Sequence, residues 1–235
     1  YLWALPAMNI DAMRQGSEAA FGAGNHILPV WKDRLNTKTK VTTPNSDVVY
    51  AMSYLDLKAG PVVVEVPAGL QGIFYDFWHR TICDVGFVGP DKGKGGKYLL
   101  LPPDYNGQKP KGYFTYGSPT YRVFLFWRGF LLDGKTYDAV KTIEKTVIYP
   151  MGKNASAPAM VFPNASEKPA NMLVTQDISY FENLKQFIDY EPLDREDFAM
   201  RGMMATLGMV KGQPFEPDAR MKAILNRAAD VAWKM

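Results

Sequence analysis

Between residues 45 and 132 the chain is cut into apolar stretches of strand length, each closed by Gly, Pro, Asn or Asp, and this cadence limits the fold more than any other feature. The stretches are Val48 to Leu55, Val62 to Val66, Gly72 to Arg80, Val85 to Val88, Lys97 to Leu101, Tyr113 to Tyr116 and Tyr121 to Leu132. Strands spaced so closely and separated by turn residues predict an antiparallel sandwich or barrel rather than alternating βα units. Asp133-Gly134 ends the run, and Tyr137 to Tyr149 reads as a short covering helix. Ahead of the strands, Leu2 to Phe21 has helix-compatible apolar spacing and a Gly22/Gly24 stop, so an N-terminal helix is expected.

The second part of the chain is more helical. A polar, Pro-rich segment between residues 152 and 171 carries a short echo, Asn154-Ala155-Ser156 and Asn164-Ala165-Ser166, which reads as a surface loop whose N-glycosylation triplets arise by chance. Ser179 and Glu182 form the pattern of a capping box for a helix ending near Tyr190. Asp194 is expected to cap the next helix, which runs to Gly208, and Pro217-Asp218 to open a last one reaching Met235. Met200, Met203, Met204 and Met209 fall at helical spacing and are expected to pack, although such residues can also line a soft ligand surface. The chain starts Tyr1-Leu2-Trp3 and stops inside an apolar helical pattern, which reads as a trimmed product with more sequence after it in the parent gene.

Composition excludes several functions. The formal net charge is +3 and the basic residues are scattered, so neither a nucleic-acid stripe nor a polybasic membrane arm is present. Apolar runs are too short to span a bilayer. Cys83 is alone, and His26 and His79 are not in a ligand-spaced cluster, so the sequence asks for no metal and no cofactor. The run Asp91-Lys92-Gly93-Lys94-Gly95-Gly96-Lys97 imitates a phosphate loop, but Tyr98 stands where a hydroxyl residue should hold magnesium, and a strand follows instead of a helix. It is expected to be a surface loop between strands. Gly-x-Ser-x-Gly and His-Glu-x-x-His are also absent.

Candidate chemistry lies between Asn45 and Arg128. Read as one strand, Gly72 to Arg80 places Asp76, Trp78 and Arg80 on one face and Tyr75, Phe77 and His79 on the other. Each face then mixes aromatic and polar residues, which points to a polar ligand cavity or a subunit interface. Asp76 with Arg80 reads equally well as a structural ion pair. Asp76 and His79 are the candidate catalytic groups, His79 being the general-base candidate near neutral pH in this segment. Asp47, Tyr50, Trp78 and Arg128 are the candidate substrate-binding residues. Asp47 and Tyr50 also suit an Asx-type turn feeding the first strand. A buried Arg128 would need a carboxylate, with Asp84 or Asp76 available.

Thr43-Pro44-Asn45-Ser46-Asp47-Val48-Val49-Tyr50, Gly60-Pro61-Val62 through Pro67, Asp76-Phe77-Trp78 with Asp84-Val85-Gly86, the block Gly89-Pro90 through Pro103, and Ser118-Pro119-Thr120 with Arg128 resemble bacterial proteins that contain domain of unknown function 1254. Val48 departs from the pattern, which more often has Thr after the Asp. The resemblance implies a mainly β, antiparallel jelly-roll-like sandwich with an N-terminal helix and a C-terminal helical connector. It divides the chain into a β-rich domain over 1–150, a polar Pro-rich loop over 151–178, and a connector over 179–235 leading to a second β-rich domain of unknown function 1214. It further implies an exported, periplasmic protein that works as a homo-oligomer. Two functions follow. One is a small-molecule site with acid/base chemistry by Asp76 or His79. The other is an assembly module whose aromatic strands and Met-rich helices form subunit interfaces.

Overall fold

The computed structural model describes residues 1–192 and 194–235. A 3-10 turn, Leu2–Ala4, continues into α1, Leu5–Phe21, which has Pro in its first turn and ends at Gly22 with φ of 99°. The strands are β1 Thr39–Lys40, β2 Val48–Asp56, β3 Val62–Val66, β4 Gln71–Asp76, β5 Thr81–Val85, β6 Gly96–Leu101, β7 Phe114–Gly117 and β8 Arg122–Phe130. After them come α2 Tyr137–Ile143, β9 Val147–Pro150, β10 Ala170–Asn171, α3 Ser179–Tyr190, α4 Phe198–Thr206 and α5 Ala219–Trp233.

Two four-stranded sheets dominate, with orders β2-β8-β4-β5 and β7-β6-β3-β9. Every pairing in the first is antiparallel. In the second, β7 lies parallel to β6, which strand spacing did not indicate. The inner faces share one apolar core: Val49, Leu55, Phe74, Leu125 and Trp127 from the first sheet pack with Val62, Val64, Tyr98 and Ile148 from the second. The opposite face of the first sheet is also covered. Tyr50, Met52, Tyr54 and Phe124 join Ile10, Met13, Phe187, Met204 and Leu225 of the helices in a second apolar cluster. The first sheet is therefore a middle layer, and the nearly unbroken burial along β2 follows from having both faces covered. With about 29% helix and 25% strand, the chain is mixed rather than mainly β.

Several elements differ from the sequence reading; among them, Val85 to Val88 is not a strand, since β5 ends at Val85 and a turn follows. Gly72 to Arg80 is not one strand: β4 stops at Asp76, Phe77 to Arg80 form a turn, and β5 returns from Thr81. The alternation of Asp76, Trp78 and Arg80 is thereby overturned. The helix expected to reach Tyr149 stops at Ile143, because the β-branched and aromatic stretch that follows pairs along the open side of β3 as β9. Ser179 does not cap α3; Asp177, two residues before it, accepts the Ser179 N–H instead. Asp218 does cap α5, accepting from the Met221 N–H, and Asp194 caps a 3-10 helix, Arg195–Asp197, that leads into α4, accepting from the Glu196 N–H.

The glycine-rich run is the surface loop expected, and its chemistry is internal. The buried Asp91 carboxylate accepts from the Gly86 and Gly95 N–H groups and the Tyr98 hydroxyl at 2.7, 3.0 and 2.8 Å. At Gly95, φ is +73° and a Cβ would sit 2.4 Å from the Val66 carbonyl oxygen, so only glycine fits. The segment read as a polar loop is partly interior: Ala165, Ser166, Ala170 and Met172 are buried, and β10 pairs with β1. Met204 and Met209 pack in the helical cluster, while Met203 is exposed.

Candidate functional site

Register builds the site on the outer face of the first sheet. Tyr50 of β2 lies opposite Arg128 of β8, Met52 opposite Phe126, and Tyr54 opposite Phe124; on the other side of β8, Tyr75 of β4 lies opposite Phe124. Residues two apart on a strand share a face, so Phe124, Phe126 and Arg128 form one row. Tyr50 stacks on Phe126 at 5.2 Å between ring centroids. The Arg128 guanidinium lies over both rings, 5.8 Å from the centroid of Tyr50 and 5.2 Å from that of Phe126. Arg128 is exposed and, among the described residues, makes no ion pair; Asp76 is occupied by Arg80, and Asp84 does not reach it.

Helix α1 stops short of covering this floor completely and leaves a cavity of about 220 Å³. Asn9 and Met13 of α1 form one wall, Thr42 to Pro44 another, and Tyr50, Phe126 and Arg128 the base. Tyr75 and His79 close the remaining side. The cavity thus has an aromatic base, a free guanidinium at one edge and an imidazole at the other.

Asp76 explains how His79 arrives there. Its carboxylate, 1% exposed, accepts from the Trp78 and Arg80 N–H groups and from Arg80 Nε at 2.9, 2.8 and 2.7 Å. The backbone turn closes with Arg80 C=O accepting from Asp76 N–H and Asp76 C=O from His79 N–H. His79 is held at φ of +64°, a left-handed conformation that is uncommon outside glycine and to which histidine is better suited than most residues. Its ring meets the edge of Tyr75 at 4.8 Å, and its side chain has no hydrogen bond among the described residues. Partial burial holds the imidazole pKa below its ordinary value, with the Asp76 charge acting in the opposite direction. Burial likewise raises the Tyr75 hydroxyl.

The structure therefore gathers Tyr50, His79 and Arg128 in one cavity and leaves three residues outside it. Asp76 lies behind the turn. Trp78 packs against Trp3 and Phe187 in the helical layer. Asp47 is exposed, its N–H donated to the Asn45 side chain in the Asx turn that leads to β2. Sequence reasoning missed Tyr75, Phe126, Asn9 and Thr42. The Phe124, Phe126, Arg128 row is visible by alternation once β8 is accepted, whereas no sequence pattern ties α1 to this sheet.

No curated protein matches the chain. A solved structure, that of the VPA0106 protein from Vibrio parahaemolyticus, superimposes with a TM-score of 0.60 over 96% of this chain at 17% identity. The match covers 54% of that protein, so the chain spans about half its length, and the likeness concerns fold alone. The family model described as protein of unknown function (DUF1254) matches residues 25–150, the part that holds both four-stranded sheets and every wall of the cavity except α1. The chain belongs to this family.

Proposed function

We propose that the chain binds a small organic anion in the cavity on the middle sheet, with its flat or apolar body on the Tyr50 and Phe126 rings and its anionic group at Arg128. The observation that carries this reading is the unpaired guanidinium poised over two aromatic rings at the edge of a concave site. An exposed arginine without a protein partner retains all five donors, in a planar arrangement that matches a carboxylate. His79 supplies the acid/base group. With its pKa lowered, the ring is neutral near pH 7 and able to accept a proton from a bound molecule. Asp76 acts as a positioning residue through the turn, and Tyr50 as part of the base.

Titration calorimetry with benzoate, phenylacetate and cinnamate tests the proposal. Binding that Arg128→Ala weakens by roughly tenfold or more, and that Arg128→Lys partly restores, supports it. Absence of binding across the set at millimolar concentration, or equal binding by Arg128→Ala, sinks it.

A second reading, assembly with like or unlike chains, is favoured by the exposed apolar side chains of the helical layer, Phe198, Met203, Ile224 and Val231. The two readings are compatible, because the cavity lies on the sheet face under α1 and these side chains lie on α4 and α5. The jelly-roll type of sandwich, export to the periplasm and a homo-oligomer paired with a second β-rich domain remain part of this proposal. Family resemblance supports the first two and the exposed helical residues the third.

A further inference from the structure

We infer that the bound anion is amphipathic, with its head at Arg128 and an unbranched aliphatic tail in a second groove that opens from the first cavity. This rests on the anion-binding reading above and adds the chemical class of the rest of the ligand. The second concavity, of about 430 Å³, is lined by Leu2, Leu5, Pro6, Val174 and Trp233, and it shares Asn9, Thr42 and His79 with the first. The three shared residues border both the polar-aromatic chamber and the apolar one. Among the described residues, His79 is the one titratable side chain that lines the second chamber.

Two further observations point to a single elongated occupant. The first cavity, about 220 Å³, is smaller than the roughly 300–1,000 Å³ usual for small-molecule sites, and the two together fall within that range. Leu2 and Trp233 are 68% and 41% exposed, so large apolar side chains from opposite ends of the sequence converge on one groove and stay wet. An alkyl chain leaving the Arg128 cavity past His79 would cover them. Charge at one end and apolar walls at the other select a medium-chain carboxylate over a short polar acid or an uncharged hydrocarbon.

The test is a titration series on the full 235-residue chain with hexanoate, octanoate and decanoate, together with benzoate as a head-only probe and decanol as a tail-only probe. The expected result is an affinity gain of about two- to fourfold per added methylene, the upper figure corresponding to about 0.8 kcal/mol for a fully buried methylene. Trp233→Ala should flatten that gain and leave benzoate unchanged, and Trp233→Phe should retain most of it, which separates lost groove surface from a disturbed α5. Arg128→Ala should weaken every carboxylate and leave decanol unaffected. If benzoate binds through Arg128 but chain length has no effect, or if Trp233→Ala leaves the gain intact, the tail groove is overturned while the anion cavity stands. If decanol binds as tightly as decanoate, the amphipathic assignment is overturned. If neither benzoate nor the alkanoates bind, both readings fall.

Discussion

Asp76 and Asp91 are both buried carboxylates that close turns, and each is filled by N–H or O–H donors from its own neighbourhood. Removing such an acceptor leaves buried donors without partners, which costs more than the bonds themselves contribute. Asp91→Ala orphans two backbone N–H groups and the Tyr98 hydroxyl and is expected to destabilise the fold by about 3 kcal/mol or more, read as a drop in denaturation midpoint at constant slope. His79 should behave in the opposite way. Asparagine tolerates the left-handed backbone about as well, so His79→Asn is expected to leave stability within about 0.5 kcal/mol while removing the cavity's proton acceptor. A large loss of stability would instead make His79 a structural residue. The Asp76 and Arg80 ion pair was legible from residue types alone, but its geometry was not. The two residues meet across a turn at 2.7 Å, and only the backbone bond pattern of that turn distinguishes it from a continued strand.

At the scale of elements, Glu191 ties the helical layer to the middle sheet. It follows the last residue of α3, has no solvent exposure, and accepts from the N–H groups of Tyr121 and Arg122 at the start of β8, at 2.6 and 3.4 Å. Burial pushes its carboxyl up to about 7 from the ordinary 4.5, against the pull of those N–H groups and Arg122. A carboxyl raised in the folded state binds more protons there than in the unfolded chain between about pH 4.5 and 7, so its contribution declines as pH rises through that window. The full effect is on the order of 3 kcal/mol. Glu191→Gln keeps an acceptor and removes the charge, so its stability relative to the parent should improve from pH 5 to pH 8 in denaturant titrations. The difference between the two proteins is the readout, because His79, with a lowered pKa, stabilises the fold in the opposite sense as pH rises through the region below its ordinary value. A constant difference would show that Glu191 does not titrate in this range. Local chemistry identified most elements: β3 falls on the expected residues, and Asp194 and Asp218 cap the helices they precede. What it missed depends on partners distant in sequence. β9 is a strand because β3 offers an unpaired side, and β7 runs parallel because of how the loop between Leu101 and Phe114 crosses. The mixed aromatic and polar faces expected of a continuous Gly72 to Arg80 strand are not formed, because the chain turns after Asp76; the face that α1 leaves partly uncovered carries Tyr50 of β2 with Phe126 and Arg128 of β8 instead.

Across the whole molecule, three layers leave one surface unlike the rest. The second sheet and the middle sheet bury their shared core, and the helices cover the middle sheet, but among the described residues no further layer lies over the outer side of the helices. Leu225 and Ala229 of α5 face inward, while Ile224 and Val231 are 46% and 48% exposed; on α4, Phe198 and Met203 are 54% and 57% exposed. Single exposed apolar residues need no explanation, but several on the outer sides of α4 and α5 favour the proposed contact with another chain. The expected outcome is association: sedimentation equilibrium should show species heavier than the 26.4 kDa chain, and Phe198→Glu with Ile224→Glu should return the protein to that mass without lowering its melting temperature. Both changes lie on solvent-facing helix positions, so loss of association with retained stability would locate the contact on α4 and α5. A parent protein that already sediments as a monodisperse 26.4 kDa species at high concentration would refute association, and with it the assembly reading, while the Arg128 cavity would be left standing on its own test.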